Sequence, residues 1–513
     1  MIKASNIKCP VNTVINRQYL AHKLKIKESD IISFSILRQS LDARSSQVLA
    51  QYAVALELHN EKHYLKNKDF EPYTPYVYEL PVCTRNDVRP IVVGFGPSGM
   101  LAGLILAEAG MKPIIIERGG PVEQRIKDVD TFWKEKKLNP DCNVQFGEGG
   151  AGTFSDGKLT TRIKDDRVHK VLEEFIEAGC DEKIAYEANP HIGTDKLRDM
   201  VRNIRQKIID LGGEIRFNTR MKDLHMEEGQ LKGVITDEGL ISGEYVILCL
   251  GHSAVDTIST LSSRITITPK NFAVGVRVEH PQSLIDQVQY HGHDLGEPAS
   301  YHLTHTAQNG RGVYSFCMCP GGVVVPSASE EGTIVTNGMS YSDRALPNAN
   351  SAILVQIFID DYFHGDPLDG FAYIRDLERK VFELGEDYKA SVQNISDFIN
   401  DTDTDLVLTP SYAHGTVKRD MSDIFEPYVT EALKEGLLNF DKKIPGFIDQ
   451  GIMTAAETRS SCPVRLLRNA DCQSDIIPHL FPCGEGAGYA GGIISSAVDG
   501  IRCAEALIKA VNH

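Results

Sequence analysis

The stretch RPIVVGFGPSGMLAGLILAEAG, residues 89–110, constrains the fold more than any other. Ile91–Val93 predict a short buried strand, and Met100, Leu101, Leu104 and Ile105 suit the helix that follows. Between them Gly94, Gly96 and Gly99 stand in GxGxxG spacing, with Pro97 and Ser98 inside the turn. Each glycine has its own duty. Gly94 permits the tight exit from the strand, Gly96 lets a pyrophosphate approach the backbone, and Gly99 allows the helix to sit close to the sheet. Unpaired N–H groups around Ser98 to Met100 then stabilise phosphate charge. Glycine turns are common, so the context carries the reading. MKPIIIERGG supplies a second buried strand ending in Glu117, 21 residues after Gly96. That is the place of a carboxylate that binds ribose hydroxyls, and Arg118 beside it joins the candidate cofactor contacts. A carboxylate there favours a free ribose over a 2′-phosphate, so the motif predicts NAD or FAD.

A chain of 513 residues suggests two or three domains. Apolar residues make up 42% and charged residues 24%, the balance of a globular protein. A formal charge of −16 disfavours a broad nucleic-acid or anionic-membrane surface. No stretch reaches the about 18 apolar residues of a membrane helix, and the start lacks a signal-peptide pattern, so a cytoplasmic location is the expectation. Eleven cysteines are scattered from Cys9 to Cys503 without a CxxC pair. Cys317 and Cys319 read as small core residues, and no metal site is expected.

Residues 1–85 read as a small α/β module. NRQYLAHKLKI has helical spacing, DIISFSILRQ and AVALELHN follow, and Arg38, Asp42 and Arg44 read as a solvated or ion-paired face. Residues 86–264 form the first part of the dinucleotide-binding domain. There TDKLRDMVRNIRQKIIDLGG carries a helical stripe with Thr194 as candidate cap, and the strands around 214–236 make an antiparallel excursion. Residues 265–475 turn mixed and are expected to form an inserted substrate domain. AVGVRVEH and GVYSFCMCPGGVVVP read as strands, SAILVQIFIDDYF and YVTEALKEGLLNF as helices. Residues 476–513 complete the first domain. The fold class is therefore α/β: a Rossmann-like domain split in sequence, an inserted mixed α+β domain, and a small N-terminal α/β domain. No coiled coil is present, and the oligomeric state stays open.

The segment LFPCGEGAGYAGGIISSAVDG, residues 480–500, resembles the last strand–loop–helix of FAD-binding flavoproteins with two dinucleotide-binding domains. The resemblance implies that Gly484 and Gly486 bring the backbone to the ribityl and pyrophosphate portion, with Glu485 at the usual acidic position. It also implies that the helix near Gly491, Gly492 and Ile493 points its positive end at the pyrimidine edge of the flavin, where reduced flavin carries negative charge. CNVQFGEGGAGTFSDGKLT resembles the loop that follows the ribose-binding acid, placing Gly149, Gly150, Gly152, Thr153 and Ser155 around diphosphate and flavin. YVILCLGHSAVD resembles the strand that ends beside FAD and places Gly251 there, with His252 given no role. Over nearly its whole length the chain is similar to the bacterial NAD(FAD)-utilising, or FAD-dependent, dehydrogenase family, on segments such as SLDAR, NPHIGTDKLR, GVRVEHPQ, FCMCPGG and ETRSSCPVR.

FAD implies electron transfer, with hydride exchanged at N5 and an organic substrate of small or medium size over the ring. ETRSSCPVRLLR is the best polar lining: Arg459 and Arg465 would bind an anionic substrate, with Glu457 orienting one guanidinium, against the equal alternative of an internal ion-pair cluster. His305 in YHLTH is an acid candidate, and CMCPGG a backbone shelf near flavin or substrate. No second GxGxxG unit lies between 165 and 475, so NADH or NADPH would have to enter the open active site directly, and other donors are equally admissible. Two rivals stand beside the enzyme reading. A flavin-dependent RNA-modifying or RNA-binding protein is disfavoured by the acidic balance, and a noncatalytic flavin sensor would show no substrate turnover.

Overall fold

The computed structural model describes residues 1–44, 47–85 and 87–513. The central unit is a five-stranded parallel sheet in the order Leu480–Pro482, Val246–Leu248, Ile91–Val93, Ile114–Ile116, Glu214–Arg216. Four of these strands are continuous apolar triplets or nearly so, because helices cover one face, the antiparallel strands of residues 221–242 with the helix Val255–Leu261 cover the other, and no face is left to alternate. The outermost partner on one side arrives from the C-terminus, more than two hundred residues after the strand it pairs with. The Rossmann-like sheet is thus split in sequence.

The helix Pro97–Glu108 leaves the first strand and is buried along residues 98–107. It packs against the C-terminal helix Ile493–Val511 so closely that a Cβ on Gly500 would fall on the Ser98 carbonyl oxygen. The helix Thr194–Asp210 completes that layer with Leu197, Val201, Ile204 and Ile208 in the shared core. Its cap differs from expectation: Gly193 occupies the cap position, and Thr194 lies one residue inside, its hydroxyl donating to the Thr153 carbonyl at 2.8 Å. Met221–Glu227, Gln230–Thr236 and Gly239–Ser242 form the antiparallel excursion.

Residues 272–457 carry a seven-stranded sheet in the order Thr304–Thr306, Gly312–Cys319, Asn348–Ile357, Phe272–Pro281, Ile452–Glu457, Ala390–Asn394, Thr416–Lys418. All pairs are antiparallel except the last. The helices Asp369–Gly385 and Pro427–Lys443 contribute Val381, Leu433 and Phe440 to its core. Here one expectation fails. SAILVQIF forms a strand, flanked on both sides in the middle of the sheet, and almost every residue of Asn348–Ile357 is buried. With both faces covered the period of two disappears, and the apolar run looks helical.

At the N-terminus a four-stranded antiparallel sheet, ordered Ile31–Asp42, Leu49–Leu58, Ile2–Pro10, Phe70–Pro72, packs beside the helix Arg17–Leu24. Asn16 caps that helix through Tyr19 N, and Leu20 joins Ile2, Val54 and Leu56 in the core. Asp42 binds both Arg44 and Lys8, the ion-paired face the charges suggested. Among the described residues, no helix is long and apolar enough to cross a membrane.

Candidate active site

The connections from the sheet leave in opposite directions on either side of the neighbouring strands Ile91–Val93 and Val246–Leu248. A crevice opens at the carboxyl ends of such strands. A cleft lies there, lined by Gly94, Gly96, Glu117, Leu250, Gly251 and Glu485 among others. The two glycine runs therefore meet: a Cβ on Gly484 would come 2.6 Å from the Ser98 hydroxyl. Gly94 has φ +99°, and a Cβ on it would strike the Cys249 carbonyl oxygen. Gly99 backs so tightly on Gly94 that any side chain would overlap its carbonyl. These glycines are demanded by the protein itself.

Glu117 is buried and braces three loops. Its carboxylate accepts from Phe95 N at 2.8 Å and from Gly119 N and Gly147 N at 2.9 Å. An ionised carboxylate has about four acceptor positions, so one remains for a ribose hydroxyl. Arg118 lies over the Phe146 ring at 4.1 Å and binds Asp141 and Asp256, an acidic pair it shares with Arg220. Both guanidinium Nε atoms are buried without a hydrogen-bond partner among the described residues.

Sequence reasoning missed Arg125, which pegs the loop that resembles the post-Rossmann segment. It is fully buried and donates to the carbonyls of Asn143, Val144, Gly147 and Glu148. Burial lowers its pKa to about 10. Within that loop Gly150 faces the cleft while Gly152 and Ser155 face the chamber described next. Gly149 and Thr153 lie behind the wall: the Thr153 hydroxyl donates to Glu148 O, and a Cβ on Gly149 would collide with it. Gly486 is likewise packed onto the Leu250 carbonyl.

The cleft continues into a second chamber, and Pro97, Gln145, Ala151, His252, Glu485 and Ser496 line both. Its far wall is the strand segment Phe316–Cys319 with Asn337, Gly338, Glu457, Arg459 and Ser460, facing Gly491, Gly492 and Ile493 at the start of the C-terminal helix. Cys319 is buried, as read from sequence, whereas the Cys317 side chain, at φ +42°, is open to the chamber.

The polar residues singled out from sequence are paired differently. Glu457 holds Arg277, at 2.8 and 3.0 Å, instead of a guanidinium of its own segment. Arg459 lines the chamber but is bound bidentately by the buried Glu378, at 2.7 Å for each bond. Arg465 is exposed, reaches over the Tyr489 ring, and does not line the chamber. His305 sits on the edge strand Thr304–Thr306, 3.8 Å from Glu435, also away from the chamber. Glu457 and Arg459 are thus brought to one wall, and Arg465 and His305 are not. The residues sequence reasoning left out, Lys158, Arg277 and Asn337, carried no local signal.

The cavity fits an extended dinucleotide on two observations. His252, buried where the two chambers join, has no hydrogen bond at either ring nitrogen among the described residues, although Nδ1 lies 3.2 Å from Glu485 Oε1. Gly251 and Gly491 would meet nothing within 4 Å if a Cβ were added, and neither has a left-handed φ. The fold does not require glycine there, while a ligand pressed against the backbone would.

Fold and cleft together resemble those of the FAD-binding flavoproteins with two dinucleotide-binding domains. A family profile described as "FAD-dependent protein, C-terminal domain-like" matches residues 271–460, and a domain of unknown function matches 1–57. The chain belongs to the same family as an uncharacterised protein of Clostridium beijerinckii, 44% identical over 525 residues that cover 99% of this chain and 98% of the relative. It is also similar, at 25% identity over 210 residues, to thiamine thiazole synthase of Methanococcus vannielii, covering 39% of this chain and 66% of that one. Among solved structures, a geranylgeranyl bacteriochlorophyll reductase-like protein from Thermoplasma acidophilum aligns with 82% of this chain and 78% of its own, at 13% identity and a TM-score of 0.38.

Proposed function

We propose that the protein is an FAD-dependent oxidoreductase acting on a small or medium-sized organic molecule in the chamber beyond the nucleotide cleft. The observation that carries this reading is the continuity of the two cavities: one ligand entering at Glu117 and passing His252 and Glu485 would end beside Gly491–Ile493, in the chamber whose other wall is Phe316–Cys319. FAD, when bound, supplies hydride or electron exchange at its N5.

The remaining chemistry belongs to this chain. Amide groups at the start of the helix Pro97–Glu108 offset diphosphate charge, and Glu117 orients the ribose. The start of the helix Ile493–Val511 presents its positive end to the chamber, so negative charge developing there is stabilised before reaction. The Phe316–Cys319 segment, held by Arg277 through the Cys317 carbonyl at 3.1 Å, closes the opposite side and excludes water.

NADH or NADPH is the donor to test first. The described residues contain one parallel dinucleotide-type sheet, so a nicotinamide would enter the same chamber. The eleven cysteines are unpaired, which fits a reducing compartment such as the cytoplasm.

An absorption spectrum of freshly purified protein tests the reading, followed by anaerobic addition of each nicotinamide. Oxidised flavin bands are expected, and their bleaching by one nucleotide identifies the donor. Folded protein that neither carries nor takes up FAD refutes the proposal.

A further inference from the structure

Five carboxylates and cations line the chamber: Asp156, Lys158, Glu457, Arg459 and Glu485. Three are neutralised within the wall. Asp156 is bound by Arg344 at 2.5 and 3.0 Å, Glu457 by Arg277, and Arg459 by Glu378. Glu485 stands at the junction with the nucleotide cleft, beside His252. Lys158 is different. Half-buried, it has no carboxylate partner among the described residues, and its ammonium donates only to the Met318 carbonyl, at 3.3 Å.

A second group points the same way. Asn337 Oδ1 accepts from Gly338 N at 2.8 Å and from Arg277 at 3.4 Å. Those donors determine which end of the amide is oxygen. The Nδ2 end is left without an acceptor among the described residues, on a side chain that lines the chamber. Phe316, Met318 and Ile493 supply apolar wall around these two donors.

We infer that the chamber binds its substrate through a carboxylate, held by the Lys158 ammonium and the Asn337 amide, with the apolar body of the molecule against Phe316, Met318 and Ile493. This rests on the oxidoreductase reading and names the substrate class for it. The charge count selects carboxylate over phosphate. One unpaired cation offsets one negative charge, and a dianion would leave an excess in a chamber whose other lining cation, Arg459, is already held by Glu378. The diphosphate of the cofactor does not compete for Lys158, which lines the chamber and not the cleft at the glycine turn. The anion-binding role that sequence assigned to Arg459 and Arg465 thereby moves to a residue with no charge partner.

Sodium benzoate is the probe, with neutral benzamide and inorganic phosphate as comparisons. Binding is measured by calorimetry on the full chain, while the flavin absorption of each sample is recorded. Saturable benzoate binding is expected, weakened about tenfold or more by Lys158→Met, less by Asn337→Ala, and largely retained in Lys158→Arg. Benzamide and phosphate should bind about tenfold more weakly or worse. Absence of benzoate binding, equal affinity for benzamide, tighter phosphate binding, or a Lys158→Met variant that binds as the parent does would each overturn the inference. The two readings fail separately. Lys158-dependent benzoate binding to a chain unable to hold FAD sinks the oxidoreductase reading alone, and a flavin-loaded chain indifferent to charge sinks this one alone.

Discussion

Gly491→Ala separates a glycine that the fold needs from one that a ligand needs. A Cβ at Gly491 meets nothing within 4 Å, and the backbone is not in the left-handed region. Alanine therefore restricts the unfolded chain without straining the folded one and should stabilise the FAD-free protein by about 0.4–1 kcal/mol. In the proposed complex the same methyl group stands where the flavin presses on the helix start, and a tenfold loss of FAD affinity is about 1.4 kcal/mol. At an FAD concentration about 100 times the parent dissociation constant, the cofactor adds about 2.7 kcal/mol to the parent but only about 1.4 kcal/mol to the variant. The order of stabilities should reverse: the variant is the more stable chain without FAD and the less stable one, by a few tenths to about 1 kcal/mol, with it. Urea unfolding with and without FAD, together with an FAD titration followed by fluorescence quenching, reads both quantities. Gly94→Ala is the contrast. Its φ of +99° and its overlap with the Cys249 carbonyl should cost about 1–3 kcal/mol from conformation alone, with or without cofactor. A Gly491→Ala chain that is destabilised without FAD, or that binds FAD as the parent does, would refute the reasoning.

Glu378→Ala leaves the Arg459 guanidinium, 6% exposed, with Glu330 at 4.0 Å in place of two bonds at 2.7 Å, and should cost about 3 kcal/mol in urea unfolding. Stability should also fall on acidification because of His280, which is fully buried, donates to the Phe447 carbonyl at 2.8 Å, and has its pKa pushed down to about 4 by burial. The unfolded chain takes up this proton near pH 6.5 and the folded chain only near 4, so stability is fully present above about pH 6.5 and lost as pH falls toward 4. The loss amounts to about 3 kcal/mol, with His191 and His414 shifted the same way, and His280→Gln should flatten the profile measured between those limits. Arg125→Met strands four buried carbonyls and should cost about 3 kcal/mol or more while raising hydrogen exchange across residues 143–150 and lowering FAD affinity.

What was legible in the sequence follows from the range of the forces involved. Gly94 and Gly99 are dictated by atoms within a few residues or in the adjacent strand, so the turn announces itself in six letters. The apolar triplets 91–93, 114–116 and 246–248 are readable for the same reason, each being covered on both faces. The chamber was not legible, because its charges are settled at a distance. ETRSSCPVR places Glu457 two residues from Arg459, and proximity in the chain suggests a pair. The sheet instead sets Glu457 beside Arg277, 180 residues earlier, and the helix Asp369–Gly385 brings Glu378 to Arg459 across 81. A buried carboxylate takes the cation that the fold delivers, whatever its neighbour in the chain. Lys158 gains its meaning only after those pairings are known, since a lysine without a carboxylate is invisible until every carboxylate around it has been assigned. The strand Asn348–Ile357 fails for a related reason: its helical appearance comes from losing a solvent face to neighbours at 272–281 and 312–319. Motifs built on backbone sterics therefore point to a dinucleotide cofactor, whereas the inferred substrate class depends on an electrostatic remainder that exists only in the folded chain.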